Sequence, residues 1–310
     1  MNGVLGGVGS PLVSVVINAQ NSEAFIGQSV ESLQSQTFCN WEAIVWDNSP
    51  TDNTRKLIEA FGDDRLRYFH ASAKVPLYLS RVNAIAQAKG DYVAFLDADD
   101  LWMSDKLEVQ VGEFSSAHVV MSCTDYLMTR PLKDANLSLT GAKKIRTYKK
   151  NQTSISGLLL DYRVGMSTLM IRTDVLRKFI EPEPPPYSHL EDLDMVSRCM
   201  LAGSLAPVNR FLTIYRRHGA NHSRQYTGQK QEWDHWLRNM GNLGLSLSEQ
   251  RAIESFASNY MRFIEALDLL AKNQKIEAVQ LWRKMPFSFR KLKLIIATLI
   301  PGAVLRRLLP

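Results

Sequence analysis

From Pro11 to Tyr126 the chain alternates short apolar runs with stretches of helical periodicity, and this alternation narrows the available folds more than any other feature. Repeated strand and helix units build a mainly parallel sheet with helices on its faces, because parallel neighbours need a long crossover between them. The runs predict strands at Val13–Ile17, Trp41–Trp46, Leu66–His70, Tyr92–Leu96 and Val119–Tyr126. Ile26, Val30 and Leu33 recur at helical spacing, so an amphipathic helix begins near Ser22. Asp52 can cap the next helix, whose apolar face is Leu57, Ile58 and Phe61. A third helix covers about Tyr78 to Ala88 and closes at Gly90, where a left-handed C-terminal residue is expected.

The fourth run, Tyr92 to Leu96, ends in Asp97-Ala98-Asp99-Asp100. In open α/β sheets ligands bind at the carboxyl edge of the strands, and alternation along extended backbone aims residues two apart the same way. Asp97 and Asp99 are therefore expected to share one divalent cation, Mg²⁺ or Mn²⁺, as hard oxygen ligands that also leave room for phosphates. The small Ala98 makes space for a diphosphate. On the tetrapeptide alone, aspartates that only punctuate a strand-to-helix turn explain it equally well.

At 310 residues the chain can hold one large domain and an appendage. Its net charge of +6 favours anionic partners without choosing among them. Three cysteines, Cys39, Cys123 and Cys199, form no CxxC pair, which argues against a disulfide framework or a thiolate metal site and fits a reducing cytoplasm. Residues 1–10 are Gly-rich without a basic leader or apolar core and are expected to form a loose tail. Their glycines precede the first strand, the wrong side for a dinucleotide-binding turn, and no GxxxxGK[ST] loop occurs. No run approaches the ~18 apolar residues of a membrane span.

After Tyr126 the chain becomes polar and basic, with Arg130, Lys133, Lys143, Lys144, Arg146, Lys149 and Lys150 before Ile155. A cover over an anionic ligand and a solvated excursion fit this stretch equally. A strand near Ser167–Ile171 follows, and a helix beginning within His189–Asp194 runs to about Ala202. Beyond Arg224 the pattern is helical, around Trp233–Leu243, Ser248–Lys272 and Ile276–Met285. The expected organisation is a tail at 1–10, an α/β domain at 11–224 and a helical extension at 225–310. In the last part Trp282, Phe287, Phe289 and the Leu292–Ile300 run are interleaved with cations. That pattern suits a segment lying on anionic lipid, with a helix packed on the domain as the other reading. Cations mixed with aliphatics, rather than set beside a base-reading element, argue against nucleic-acid binding.

Together the motifs resemble the family 2 inverting glycosyltransferases of the GT-A fold. The likeness covers about Leu12 to Arg224 and rests on Val13-Ser14-Val15-Val16-Ile17 before Asn21, on Trp46-Asp47-Asn48-Ser49-Pro50-Thr51-Asp52, and on Ser80-Arg81-Val82-Asn83. It continues through Ala88-Lys89-Gly90-Asp91-Tyr92, the segment Asp97 to Trp102, Glu191-Asp192, and Tyr215-Arg216-Arg217-His218. No single motif is specific, but their order and spacing are. The resemblance implies a GT-A mixed, mainly parallel sheet with flanking helices, and a sugar transfer from a nucleoside diphosphate sugar, UDP-sugar by preference. The acceptor is expected to be a hydroxyl of a glycan or polyprenyl-linked oligosaccharide, met at the cytoplasmic membrane face by a peripheral enzyme. The helical extension could pair two subunits.

By the same resemblance Asp47 meets the nucleotide base, where its carboxylate can accept the N3–H of uracil. Arg81 lies near base and diphosphate; Asp97 and Ala98 line the nucleotide; Asp97 and Asp99 hold the metal. Asp99 is expected to be the direct ligand and Asp97 to be directed partly to ribose, while Asp100 need bind neither. Asp192 is implied as general base, with Glu191 beside it. His218 contacts diphosphate or metal, assisted by Arg216 or Arg217. His218 and His222 also form an i, i+4 pair, a weak metal signal by itself. Two departures stand out. Pro-Thr-Tyr-Asn of the family is Asn18-Ala19-Gln20-Asn21 here, leaving Ala19 and Asn21 as nucleotide contacts without an aromatic partner for the base. Asp-Asp-Gly-Ser is Asp47-Asn48-Ser49-Pro50, which keeps the first carboxylate. A non-catalytic nucleotide- or glycan-binding module is the rival reading, yet it would have no need of Asp97, Asp99 and Asp192 together. A nucleotidyltransferase would require a Gly-rich basic loop after the first strand, which is absent.

Overall fold

The computed structural model describes residues 10–48, 51–129, 138–147, 155–160, 162–180, 187, 189–218, 229–286, 294–295 and 297–298. The chain divides into two compact units, 1–219 and 220–310.

Among the described residues the first unit is built on a nine-stranded sheet. Its parallel part comprises β1 (Val13–Ala19), β2 (Trp41–Asp47), β3 (Leu66–His70) and β4 (Tyr92–Phe95), in the order β3-β2-β1-β4. Continuing from β4 come β8 (Leu169–Arg172), β6 (Val119–Thr129), β9 (Ser204–Arg216) and the two-residue β5 (Leu101–Trp102), while β7 (Lys143–Ile145) pairs with β6. β8 is antiparallel to both β4 and β6, which makes the sheet mixed, and β9 runs parallel to β6.

Central strands buried on both faces read as continuous apolar runs, and their alternation sorts them between two cores. Val13, Val15, Ile17 and Ala19 face one core, with Ile26, Val30 and Leu33 of α1 (Ile26–Gln34), Ile58 of α2 (Thr54–Ala60) and Leu107 of α4 (Lys106–Gly112). Val16 and Phe95 face the other, with Ala84 and Ile85 of α3 (Leu77–Ala86), Leu158 of α5 (Ile155–Leu160), Leu176 of α6 (Thr173–Phe179) and Val196 of α7 (Glu191–Cys199).

Several boundaries differ from the sequence reading. α1 begins at Ile26 rather than near Ser22, α7 ends at Cys199, and α3 ends at Ala86. Asp52 does act at the start of α2, where its Oδ1 accepts the Thr54 N–H at 3.0 Å. Gly90 is not left-handed: the positive-φ glycines among the described residues are Gly62, Gly141 and Gly244. It is glycine because the backbone of β1 passes close by, so a Cβ there would lie 2.5 Å from the Leu12 carbonyl oxygen. Ser14 Oγ accepts the Gly90 N–H at 2.8 Å in the same tight contact.

β9 was not expected. Pro207, Asn209 and Arg210 break its alternation, and its pairing with β6 shifts register on either side of Asp125. β7 lies within the polar, basic stretch after Tyr126, paired with Tyr126–Met128, and its lysines are exposed. The rest of that stretch, including Arg130, Lys133, Lys149 and Lys150, lies outside the described residues.

The second unit contains α8 (Gln229–Asn239), α9 (Leu247–Ala271) and α10 (Lys275–Arg283). Ser246 and Glu249 form a capping box at the start of α9. Ala266, Leu270, Ala278, Met285, Leu294 and Ala297 make a small core. Among the described residues no helix is long and apolar enough to cross a membrane. Phe287, Phe289 and most of the Leu292–Ile300 run lie outside the described residues.

Candidate functional site

β4 stops at Phe95, and residues 97–100 form a turn closed by the Asp100 N–H donating to the Asp97 carbonyl at 2.9 Å. Strand alternation therefore does not extend through the aspartates, and Asp97 and Asp99 have different partners. Asp97 Oδ1 lies 3.3 Å from Nη2 of Arg81. Asp99 Oδ2 lies 2.8 Å from Nε2 of His218. Burial raises the Asp97 carboxyl against the pull of Arg81, with Asp99 adding a like charge.

Asp100 is the buried anchor of the turn. Its Oδ2 accepts from Ser167 Oγ at 2.6 Å, and its Oδ1 accepts the Arg216 N–H at 3.0 Å. Burial, then the charges of Asp99 and Asp97, push its carboxyl well above the usual carboxylate range. Ser29 of α1 completes the brace, its hydroxyl lying 2.8 Å from the Ala98 carbonyl oxygen and 2.7 Å from that of Asp100. The Ala98 residue itself is buried.

Arg216 closes the far side of the turn. Its Nε donates to the Asp99 carbonyl, and the rest of its guanidinium meets Gln28, the Phe25 carbonyl and Ser29. The side chain is fully buried, so in this arrangement Arg216 supports the backbone of the aspartate turn. His218 stacks on Phe25 with ring centroids 4.7 Å apart, which aims its Nε2 at Asp99. His222 lies outside the described residues. Arg217 donates its N–H to the Thr129 carbonyl at 2.8 Å.

Asp47 ends β2 at the same sheet edge, fully buried. Its Oδ2 accepts from the Tyr68 hydroxyl at 2.9 Å, and its Oδ1 is buried without a hydrogen-bond partner. Burial raises its carboxyl, partly offset by Tyr68. Ala19, at the end of β1, accepts the Asn48 N–H at 2.8 Å and so ties the two strand ends together. Asn21 has a φ of 50° and its Oδ1 accepts from Thr51 Oγ1 at 2.6 Å, an arrangement that Asn tolerates better than most residues.

Arg81, on α3, is buried and joins the two halves of the site: Nη1 donates to Glu191 while Nη2 faces Asp97. Glu191 opens α7, and its second oxygen, Oε2, is buried without a hydrogen-bond partner. Asp192 follows, its Oδ1 accepting the Leu193 N–H at 2.7 Å. Burial and the Glu191 charge push Asp192 up to about 7, against the pull of Arg81. Burial raises the Tyr126 and Tyr162 phenols, with the Asp192 charge adding to each.

The structure thus brings Asp99 to His218, and Asp97 to Glu191 through Arg81. Among the described residues it does not gather three His, Cys, Asp or Glu side chains into one metal-ligating group. Asp99 and His218 nevertheless suit a hard divalent ion. Ligands about 2.1 Å from such an ion and at right angles lie about 3 Å apart, close to the observed 2.8 Å, and such ions complete their shells with phosphates and water. Ser29, Ser167 and Tyr68 were missed from sequence, since a lone serine or tyrosine carries no motif.

Comparison with known proteins bears on this arrangement. The profile of glycosyl transferase family 2 matches residues 14–176. An Escherichia coli UDP-Glc:alpha-D-GlcNAc-diphosphoundecaprenol beta-1,3-glucosyltransferase, WfgD, is 27% identical over 229 residues, covering 72% of this chain and 84% of that protein. A second E. coli enzyme of the same description, WfaP, is 35% identical over 119 residues, 38% of this chain and only 47% of that protein. Among solved structures, S. aureus TarS 1-349 in complex with UDP-GlcNAc superposes with a TM-score of 0.66 at 18% identity, over 88% of this chain and 81% of that one. The mannosyltransferase PcManGT from Pyrobaculum calidifontis, in complex with GDP-Man and Mn2+, gives 0.60 at 15% identity, over 95% and 80%. These two likenesses carry the GT-A fold. The family match spans more than half the chain and includes the strands that deliver Asp47 and the aspartate turn, so this protein is a glycosyltransferase of family 2.

Proposed function

We propose that this glycosyltransferase moves a sugar from a UDP-sugar, with inversion at the anomeric carbon, onto a hydroxyl of a lipid-linked glycan. The observation that carries the reading is Asp192. A carboxylate held at about 7 is matched to taking a proton near neutral pH. Asp192 accepts the acceptor's hydroxyl proton as that oxygen bonds to the anomeric carbon, while the bond from that carbon to the diphosphate breaks and UDP leaves with the electron pair. Glu191 keeps Asp192 basic through its like charge, and Arg81 fixes Glu191 in place.

Asp47 supports the uridine assignment, since its unpartnered Oδ1 needs one donor and uracil N3–H supplies one. Ala19, Asn21 and Ala98 would line the nucleotide, with Asp97 directed to ribose or phosphate. Asp99 and His218 would hold Mg²⁺ or Mn²⁺, which supplies charge stabilisation to the leaving diphosphate. The described relatives act on diphosphoundecaprenol-linked GlcNAc, which supports a lipid-linked acceptor. Lys275, Arg283 and Lys284 of the second unit would favour an anionic membrane surface, a peripheral cytoplasmic location, and leave pairing of two copies open to the same helices.

The test is UDP release from a panel of sugar nucleotides with a lipid-linked acceptor. Asp192→Asn should retain UDP-sugar binding and lose transfer. Transfer at the wild-type rate would assign the base to another group.

A further inference from the structure

β3 lies beside β2 in parallel register, with Tyr68 opposite Val45 and His70 opposite Asp47. Alternation puts Val45 and Asp47 on one face of β2, and Tyr68 on the same face of β3. From there its hydroxyl reaches one step along to Oδ2 of Asp47, at 2.9 Å. The contact has a fixed direction. A phenol beside a buried carboxylate keeps its proton, and burial together with Asp47 pushes the Tyr68 phenol well above its ordinary value. Tyr68 therefore donates, and Oδ2 already accepts one hydrogen bond. Oδ1 stays buried with no donor.

Asp47 consequently presents one oxygen with no partner and one that already accepts from the Tyr68 hydroxyl, where a free carboxylate would present two equal acceptors. The nucleobases differ in the donors they bring to such a site. Uracil presents a single imide N–H between two carbonyls. Guanine presents a ring N–H and an exocyclic amine side by side, a pair that fits both oxygens of one carboxylate. Cytosine presents a ring nitrogen that accepts, which would face Oδ1 with no proton between them.

We propose that Tyr68 sets the base selectivity of the nucleotide site: by engaging Oδ2 of Asp47 it leaves Oδ1 as the one unpartnered oxygen, which fits a uracil-type imide and disfavours guanine, whose two donors would need both oxygens. This rests on Asp47 being the base contact, as in the function proposed above. Guanine would have to share Oδ2 with the Tyr68 hydroxyl, and a buried donor paired less well in this way costs selectivity. Tyr68 is a positioning residue in this scheme. It acts through Asp47 and leaves the reacting atoms alone.

The experiment measures binding of UDP, GDP and CDP to the full chain by calorimetry, for the wild type and for Tyr68→Phe, Asp47→Ala and Asp47→Asn. Wild type should favour UDP. Tyr68→Phe frees Oδ2 and should narrow the UDP-to-GDP preference by roughly tenfold, with tighter GDP binding contributing. Asp47→Asn offers a sharper arm that keeps Tyr68. The tyrosine hydroxyl should hold the amide oxygen, turn the amide nitrogen toward the base and shift preference to CDP. Adding Tyr68→Phe lets the amide turn over and should erase that shift. An unchanged UDP-to-GDP ratio in folded Tyr68→Phe, or no gain for CDP in Asp47→Asn, overturns the proposal. If Asp47→Ala removes the uridine preference while those two results fail, only the role of Tyr68 falls. A wild type that binds UDP no better than GDP and CDP refutes the base assignment itself.

Discussion

Nε2 of His218 lies 2.8 Å from Oδ2 of Asp99, across 119 positions of sequence. Phe25 holds the imidazole by stacking, and Arg216, two residues before it, grips the carbonyl of Asp99. Two donors fixed this closely should bind a divalent ion in concert. EDTA should abolish UDP release, and added Mn²⁺ or Mg²⁺ should restore it. Asp99→Ala and His218→Ala should each lower kcat by about a hundredfold or more, the scale of several kcal/mol lost from the charge-stabilising ion. Turnover that survives both EDTA and Asp99→Ala would remove the ion from the reaction.

The pH dependence of transfer should report Asp192. A carboxyl raised to about 7 is protonated below that pH and cannot accept a proton, so kcat/KM should fall as pH drops through 7. Asp192→Asn should cost about 10²- to 10⁴-fold in kcat across the range. In Glu191→Gln the like charge is gone and the pull of Arg81 is no longer opposed, so the acid limb should move to lower pH. A limb that stays in place would show that Glu191 does not set it.

Ser29→Ala should loosen the aspartate turn from beneath. The hydroxyl contacts the buried carbonyls of Ala98 and Asp100, and removing it leaves both without that partner. The expected loss is about 1–3 kcal/mol in urea unfolding, with a fall in kcat because Asp99 loses its footing. Wild-type stability in this variant would mean that other contacts hold the turn.

Lys106 carries an opposite expectation. Its ammonium is buried over the Trp102 ring, 4.0 Å from the centroid, with Gln110 as hydrogen-bond partner, and burial lowers its pKa well below the ordinary lysine value. The unfolded chain binds a proton that the folded chain gives up more easily, so this residue makes stability rise with pH toward about 10.4. Lys106→Met keeps the apolar stem and should gain about 1 kcal/mol near neutral pH while flattening that slope. A loss of more than about 1 kcal/mol would show that the hydrogen bond and ring contact outweigh desolvation.

The strands β1, β2, β3, β4 and β6 were legible because neighbours on both sides force apolar runs on most of them, and α1 because its stripe faces a single core. β9 was not, since a bulged strand with Pro207 and exposed Asn209 and Arg210 takes its regularity from its partner. Gly90 reads in the sequence as a helix-closing turn, whereas the passing Leu12 carbonyl requires it, a contact no local pattern encodes. At the site, Asp47, Asp97, Asp99, Asp192 and His218 stood out as motif positions. Their pairing did not. Alternation predicted Asp97 and Asp99 as joint ligands, whereas the end of β4 at Phe95 sends one to Arg81 and the other to His218. Ser29, Ser167 and Tyr68 act through contacts that only the folded chain creates.

The anchoring of Asp100 by the Arg216 N–H bears on how this chain is made. The two groups are separated by 116 positions, and Asp100, Ser167 and Arg216 are all buried together. A nascent chain that has emerged only through residue 176 carries the aspartate turn but neither Asp192 nor β9. Until β9 arrives, Asp100 has no backbone donor from Arg216 and Asp99 has no histidine. The aspartate turn and its histidine are therefore completed late, by β9, and, if they form the proposed donor site, partial chains should emerge unable to turn over sugar nucleotide.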